Sequence, residues 1–261
     1  MDKTGNLRRL TPIAGTIEVR GILGAAVANL GVRIVGGEWP IGSVIAKEAD
    51  LVTELDVSRS VIREACRILG AKGLIRSRTS DGTRVQPRAE WRLLDPDVMD
   101  WRIQAGDREG LLRDLLKLRL VLEPGIAYSA TVMADDAARE KIDAAWDAKK
   151  FVHNDTTLNE HDWRAAFIEA DIAFHEAFVE AVSSEMLDQV FSVISSALDL
   201  QFDHQLEVLG RSNRLIGMDG SYEMHERVYR AFIQKDATGA ENAMRNLIHC
   251  AINDAESGFQ Q

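Results

Sequence analysis

The chain has only two cysteines in 261 residues, Cys66 and Cys250, which excludes a disulfide framework and a four-cysteine zinc site. It has no apolar run of roughly 18 residues, the length a membrane-crossing helix needs. The opening MDKTGNLRRLTPIAG lacks the apolar centre of a secretory signal. HExxH and GxGxxG are both absent, as are a nucleophile elbow and a phosphate loop. These absences lead to the expectation of a soluble cytoplasmic protein without a membrane partner and without an assembled catalytic motif.

Charge is present, and it is unevenly placed. The net charge is −10, yet residues 1–88 carry 14 basic and 9 acidic side chains, a net of +5, against −15 for the remainder. Such a split marks a segment suited to a polyanion joined to one that is not.

Along the basic part, Val19, Ile22, Leu23, Ala26, Val27, Leu30 and Ile34 recur at helical spacing, predicting a helix from about Glu18 to Gly36. A short helix is expected from about Ala46 to Leu55. A third follows the turn Asp56-Val57-Ser58, with Ser58 as its N-cap, and runs to about Leu69. Two short strands around the Asp81-Gly82 turn then form a hairpin. Three helices and a basic hairpin make a winged helix-turn-helix domain over 1–88. The pattern lapses over 89–107, which is expected to be a linker. Residues 108–261 read as helix throughout, so the fold class is mostly α: an N-terminal winged helix-turn-helix and a C-terminal all-α bundle.

Arg59, Arg63 and Arg67 stand four residues apart and share one face of the third helix. A charge stripe alone is more often a solvated face. Here it lies on the second helix of a helix-turn-helix, whose N-terminal half enters the major groove. Arginine suits that place because its planar fork matches guanine O6/N7 and phosphate oxygens. Arg76, Arg78 and Arg84 on the hairpin would lie over a phosphate backbone or the minor groove. Double-stranded DNA is the expected partner.

The pattern Gly42-x-x-Ile45-x-x-Glu48-x-x-Leu51, Val57-Ser58-Arg59-Ser60-x-x-Arg63-Glu64-Ala65, Leu69-x-x-x-Gly73-Leu74-Ile75 and Gly82-x-x-Val85 resembles the GntR family of bacterial transcription regulators. The resemblance implies base contacts from Arg59 and Arg63 and phosphate contacts from Ser58, Ser60 and the wing around Gly82. Many members have an arginine directly after the second-helix glutamate, where this chain has Ala49.

In the acidic part, Asp171 and His175 are spaced i, i+4 on one helix face, an arrangement open to metal ligation or to a simple surface pair. From about Arg108 onward the chain resembles the all-helical effector (FCD) domain of the FadR-type subgroup. The matching stretches are Arg119-Leu120-x-x-Glu123-Pro124, Asp171-x-x-Phe174-His175, and His225 followed by Phe232-Ile233-x-x-Asp236. Many such domains hold a divalent metal with one aspartate and three histidines. Asp171, His175 and His225 map onto three of these. The fourth position falls on Leu247, and His249 lies two residues beyond, about 200° around a regular helix. Three readings follow: a locally irregular helix that brings His249 in, three protein ligands completed by water and effector, or no metal. The three-ligand site, zinc being the expected metal, ranks first.

The resemblance further implies a homodimer that binds an operator and is released by a small organic acid. Arg119 either reads that acid or pairs internally with Glu123, four residues on. Glu90–Trp101 resembles the linker of galactonate-type regulators, which points to aldonates such as galactonate as the effector class. The expected function is a ligand-responsive repressor of a carbohydrate-acid operon, not an enzyme. The alternative is a metal-dependent hydrolase of a small organic acid derivative, since three ligands and an open position also describe a catalytic metal.

Overall fold

A computed structural model of the chain describes residues 21–78, 82–209 and 218–258. The expected helix start at Glu18 and the hairpin turn before Gly82 lie outside the described residues. The chain divides into two compact units, residues 1–111 and 112–261.

In the first unit, α1 (Gly21–Val35) buries Ala26, Val27, Leu30 and Ile34, one stripe at spacings of three and four. The short α2 (Glu48–Leu55) buries only Leu51 and ends at Asp56 in the left-handed conformation. Ser58 Oγ accepts the Val61 N–H and caps α3 (Arg59–Ala71), as the serine at that position predicts. Ile62, Ala65 and Leu69 face inward from α3. Strands β1 (Ile75–Arg78) and β2 (Gly82–Val85) pair antiparallel, Ile75 opposite Val85 and Arg76 opposite Arg84. Val44 adds a single bridge to Arg84.

The stretch expected to be a linker is folded onto this unit. After a 3-10 turn at Arg88–Glu90, α4 (Pro96–Gln104) forms, with Asp95 capping Asp97 N–H and proline in its first turn. Trp91, Val98 and Trp101 join the same core as Leu30 and Ile62. Trp101 lies so close to α1 that a Cβ on Gly31 would stand 2.5 Å from its ring. The buried Lys72 ammonium holds both oxygens of Asp95 at 2.7 Å, fastening the start of α4 to the end of α3. The apolar face of α4 needs a partner, and α1 supplies it. For this reason 96–104 orders as helix where the pattern alone suggests a lapse.

The second unit consists of α5 (Arg108–Met133), which begins in the last residues of the first, then α6 (Asp136–Asn154), α7 (Glu160–Glu180), α8 (Glu185–Leu209), α9 (Met218–Ile233) and α10 (Ala237–Gly258). Asp135 and Asn159 cap α6 and α7 through their side chains. Among the described residues, the most extensive pairings are α9 with α10 and α6 with α7. The core is built from Trp146, Trp163, Phe167, Phe174, Phe178 and Phe232 among smaller residues. Phe167, Ala170, Phe174 and Phe178 form the inward stripe of α7, and two polar residues interrupt it. Those two are Asp171 and His175.

Candidate functional site

The candidate side chains fall into two sets, one in each unit. On the outer face of α3, Arg59, Arg63 and Arg67 are exposed. Arg63 Nε donates to Glu48 at 3.0 Å, and Arg67 forks onto Glu64 at 2.6 and 2.9 Å. Ser58 and Ser60 hydroxyls lie 2.8 Å apart at the same helix start. On the hairpin, Arg76 is exposed directly opposite Arg84, and Arg84 Nη1 reaches the Gly42 carbonyl at 2.9 Å. Like charges facing each other across a strand pair cost stability, a cost that a phosphate between them would offset. Gly82, at φ +77°, packs beneath Val44. The side chain of Arg78 lies outside the described residues.

The second set is buried in the helical unit. Asp171, His175 and His225 are each 2% exposed, brought together by α7 and α9. His225 Nε2 lies 3.2 Å from Asp171 Oδ1 and 3.3 Å from His175 Nε2, and His175 Nε2 lies 3.8 Å from Asp171 Oδ2. His225 Nδ1 is 2.7 Å from the Ser221 carbonyl. A carbonyl only accepts, so the proton sits on Nδ1 and the lone pair on Nε2. His175 Nδ1 lies 2.7 Å from Glu123 Oε2, off the ideal hydrogen-bond direction, and the carboxylate favours the same tautomer. Arg119 Nη2, which can only donate, lies 3.4 Å from His175 Nε2. Two imidazole lone pairs and a carboxylate therefore converge on one point.

Convergent electron pairs repel unless something positive lies among them. Donors held about 2.0–2.1 Å from a tetrahedral metal stand roughly 3.4 Å apart, close to the separations here. The donor set thus fits a divalent first-row metal. His249, weighed as a fourth ligand, is exposed on α10, while Leu247 faces the core. Among the described residues, the cluster is made of three donors.

Cations surround the cluster. Arg119 is buried against Glu123, with Nε 2.6 Å from Oε1, so the internal pair weighed from sequence is present while Nη2 still borders the cluster. Lys149, from α6, donates to Asp171 Oδ1 and stands 4.6 Å from the centre of the Phe167 ring. Sequence reasoning missed Lys149, although a signal was there: Ile142, Trp146, Lys149 and Val152 make up the buried face of α6, and a lysine within such a stripe must meet a counter-charge.

Burial alone would raise the Glu123 carboxyl, but Arg119 and His175 outweigh it and bring it down to about 2. Asp171 is likewise held well below the usual carboxylate range, since Lys149 and the two imidazoles overcome its burial. Burial, reinforced by Lys149, keeps His225 neutral far below its ordinary value. All three shifts are downward, so below about pH 6.5 the unfolded chain binds protons that the folded one refuses. Stability is expected to fall as pH drops, first through His225 and then, below about pH 4.5, through the two carboxylates. Each group contributes up to about tenfold in the folding equilibrium per pH unit. Urea titrations of the metal-free protein followed by helical circular dichroism from pH 7.5 to 4 check this, and an unchanged midpoint down to pH 5 would contradict it.

Comparison with known proteins gives a family match for each part of the chain. Residues 24–85 match the family "Bacterial regulatory proteins, gntR family", and residues 114–249 match the "FCD domain". The chain is 32% identical over 222 residues to the galactonate operon transcriptional repressor of Escherichia coli K12, covering 85% of this chain and 91% of that one. It is 28% identical over 227 residues to the HTH-type transcriptional regulator LutR of Bacillus subtilis, covering 87% and 97%. A solved structure of Lar from Listeria monocytogenes shares the fold at a TM-score of 0.51 and 14% identity, over 92% of this chain and 99% of that one. Among the described residues, no helix is long and apolar enough to cross a membrane.

Proposed function

The chain belongs to the GntR family of bacterial regulatory proteins and carries an FCD domain, and on that premise we propose that it represses a sugar-acid operon and is released by the acid. Family membership places it among transcription regulators and away from the hydrolase alternative. In the proposed organisation, residues 1–88 bind DNA, 89–107 connect and 108–261 bind effector and dimerise. The working form is a cytoplasmic homodimer reading two half-sites of an operator.

The observation that carries the effector reading is the buried convergence of Asp171, His175 and His225 beside Arg119. These three donors would hold a divalent metal, zinc being the proposed ion, which supplies a Lewis-acidic centre for the oxygens of an acid. Glu123 and the Ser221 carbonyl orient the two imidazoles so that Nε2 faces inward. Arg119 presents its guanidinium at the same point and suits a carboxylate. An aldonate such as galactonate is the proposed ligand, supported by the similarity to the galactonate operon repressor. The acid must favour one arrangement of the DNA-binding units over another to release the operator.

Fluorescence anisotropy with DNA from upstream of the gene, titrated with aldonates with and without EDTA, tests this reading. Specific binding released by one acid supports it, and binding indifferent to every acid removes the effector assignment. For the DNA surface, the Arg59→Ala/Arg63→Ala double variant is expected to lose operator affinity by about 30-fold or more, from roughly 1–3 kcal/mol per base-reading arginine. Unchanged affinity and sequence preference would show that α3 does not read the operator.

A further inference from the structure

A metal-binding cluster ordinarily repels itself until the metal arrives. Here a cation is already in place. The Lys149 ammonium is fully buried, reaches across from α6 and bonds the same Asp171 oxygen that faces His225 Nε2. The face of Phe167 lies beside it, a position that suits a desolvated cation. The four charges of the site balance in pairs, Lys149 with Asp171 and Arg119 with Glu123. Each imidazole turns Nδ1 to an acceptor, His175 to the Glu123 carboxylate and His225 to the Ser221 carbonyl. Both carboxylates at the cluster thus already have a buried cation as partner.

We propose that Lys149 is a resident counter-cation that holds the Asp171, His175 and His225 cluster assembled without a metal and competes with a divalent ion for the Asp171 carboxylate. The inference rests on the reading of these three residues as metal donors. Asp171 Oδ1 shared with an ammonium is a weaker donor than a free carboxylate oxygen, and the ammonium repels a divalent cation drawn to the same donors. Metal loading requires Lys149 to give up Asp171, so the metal affinity of this chain is low for its donor set. The metal-free domain remains folded because the ammonium replaces the missing charge.

The full-length protein, freed of metal by EDTA dialysis, is titrated with Co2+ by calorimetry and by visible absorption. Lys149→Met keeps the length and apolar stem and removes the charge. It is expected to bind Co2+ at least about tenfold more tightly than the native chain, since a neighbouring like charge at an effective dielectric of about 20 costs more than that factor. The added His225→Ala change is expected to abolish the gain, which locates the ion at the cluster. Equal Co2+ affinity in Lys149→Met and the native chain overturns the competition while leaving the metal reading intact. Absence of Co2+ binding by both overturns the metal reading and the inference with it. The native chain gives an independent test should Lys149→Met fail to fold in any condition. Its melting temperature is expected to stay within a few degrees after EDTA treatment, and a collapse of the helical unit on metal removal overturns the proposal.

Discussion

Gly73→Ala is expected to unfold the N-terminal unit and to eliminate operator binding while the helical unit keeps its structure. Gly73 leaves α3 with φ +79°, where a side chain is strained by roughly 1–2 kcal/mol before any contact is considered. The contacts are worse than the strain. A Cβ at this position would stand 1.9 Å from the Glu90 carbonyl oxygen, 2.9 Å from its carbon and 3.3 Å from Trp91 Cα, all of them backbone. That backbone has little room to retreat. Arg92 N–H donates to Lys72 O at 2.9 Å and Gln86 N–H to Leu74 O at 2.8 Å, on either side of the contact. The buried Trp91 ring is anchored by Nε1–H to the Gln86 carbonyl at 2.9 Å. Relief therefore means detaching 86–92 from the end of α3, and with it the platform of α4. A loss above about 4 kcal/mol follows, comparable with the whole stability of many small domains. A two-step urea titration followed by tryptophan emission and circular dichroism would show the first step missing. A midpoint within error of the native one would mean that the 86–92 segment yields far more readily than its hydrogen bonds imply.

Much of this architecture is legible in the sequence, and the parts that are not have definite causes. The helix-turn-helix is readable because its signals are local: Ser58 before α3, the inward positions Ile62, Ala65 and Leu69 at helical spacing, and Gly73 after the helix end. The helix α4 was hidden because nine residues give too few repeats for a period to emerge. Asp95 followed by Pro96 is nevertheless a helix-start signal, a capping side chain with proline in the first turn. In the helical unit, Asp171 and His175 announce themselves through i, i+4 spacing, and their resemblance to a known motif adds His225 from a helix fifty residues on. Lys149 is invisible to both routes. No local pattern pairs α6 with α7, so a lysine opposite Asp171 looks like any other charge until the buried face of α6 is traced. Exclusion of His249 likewise turns on helix phase: Leu247 is inward and His249, two residues later, is exposed.

Asp171→Ala is expected to cost the helical unit about 3–5 kcal/mol, because it leaves the Lys149 ammonium in an apolar interior without its carboxylate. Burial makes this loss large. The same pair at the surface, such as Lys141 with Glu180, is screened by water and contributes far less. Charge and packing are separable here through a second substitution. In Asp171→Leu/Lys149→Met both charges are gone and the volume is kept, and such replacements of a buried ion pair are often neutral or stabilising. The double variant is therefore expected to recover most of the stability that Asp171→Ala loses, although it holds neither the ammonium nor the carboxylate donor. Denaturation midpoints of Asp171→Leu, Lys149→Met and the double variant close the cycle, with a coupling of roughly 1–3 kcal/mol as the expected result. A coupling near zero would mean that Lys149 and Asp171 are each stabilised by something other than the other. In that event the charge balance of the site would have to be sought in Arg119 and Glu123 alone, and a tight metal would no longer meet a competitor at Asp171.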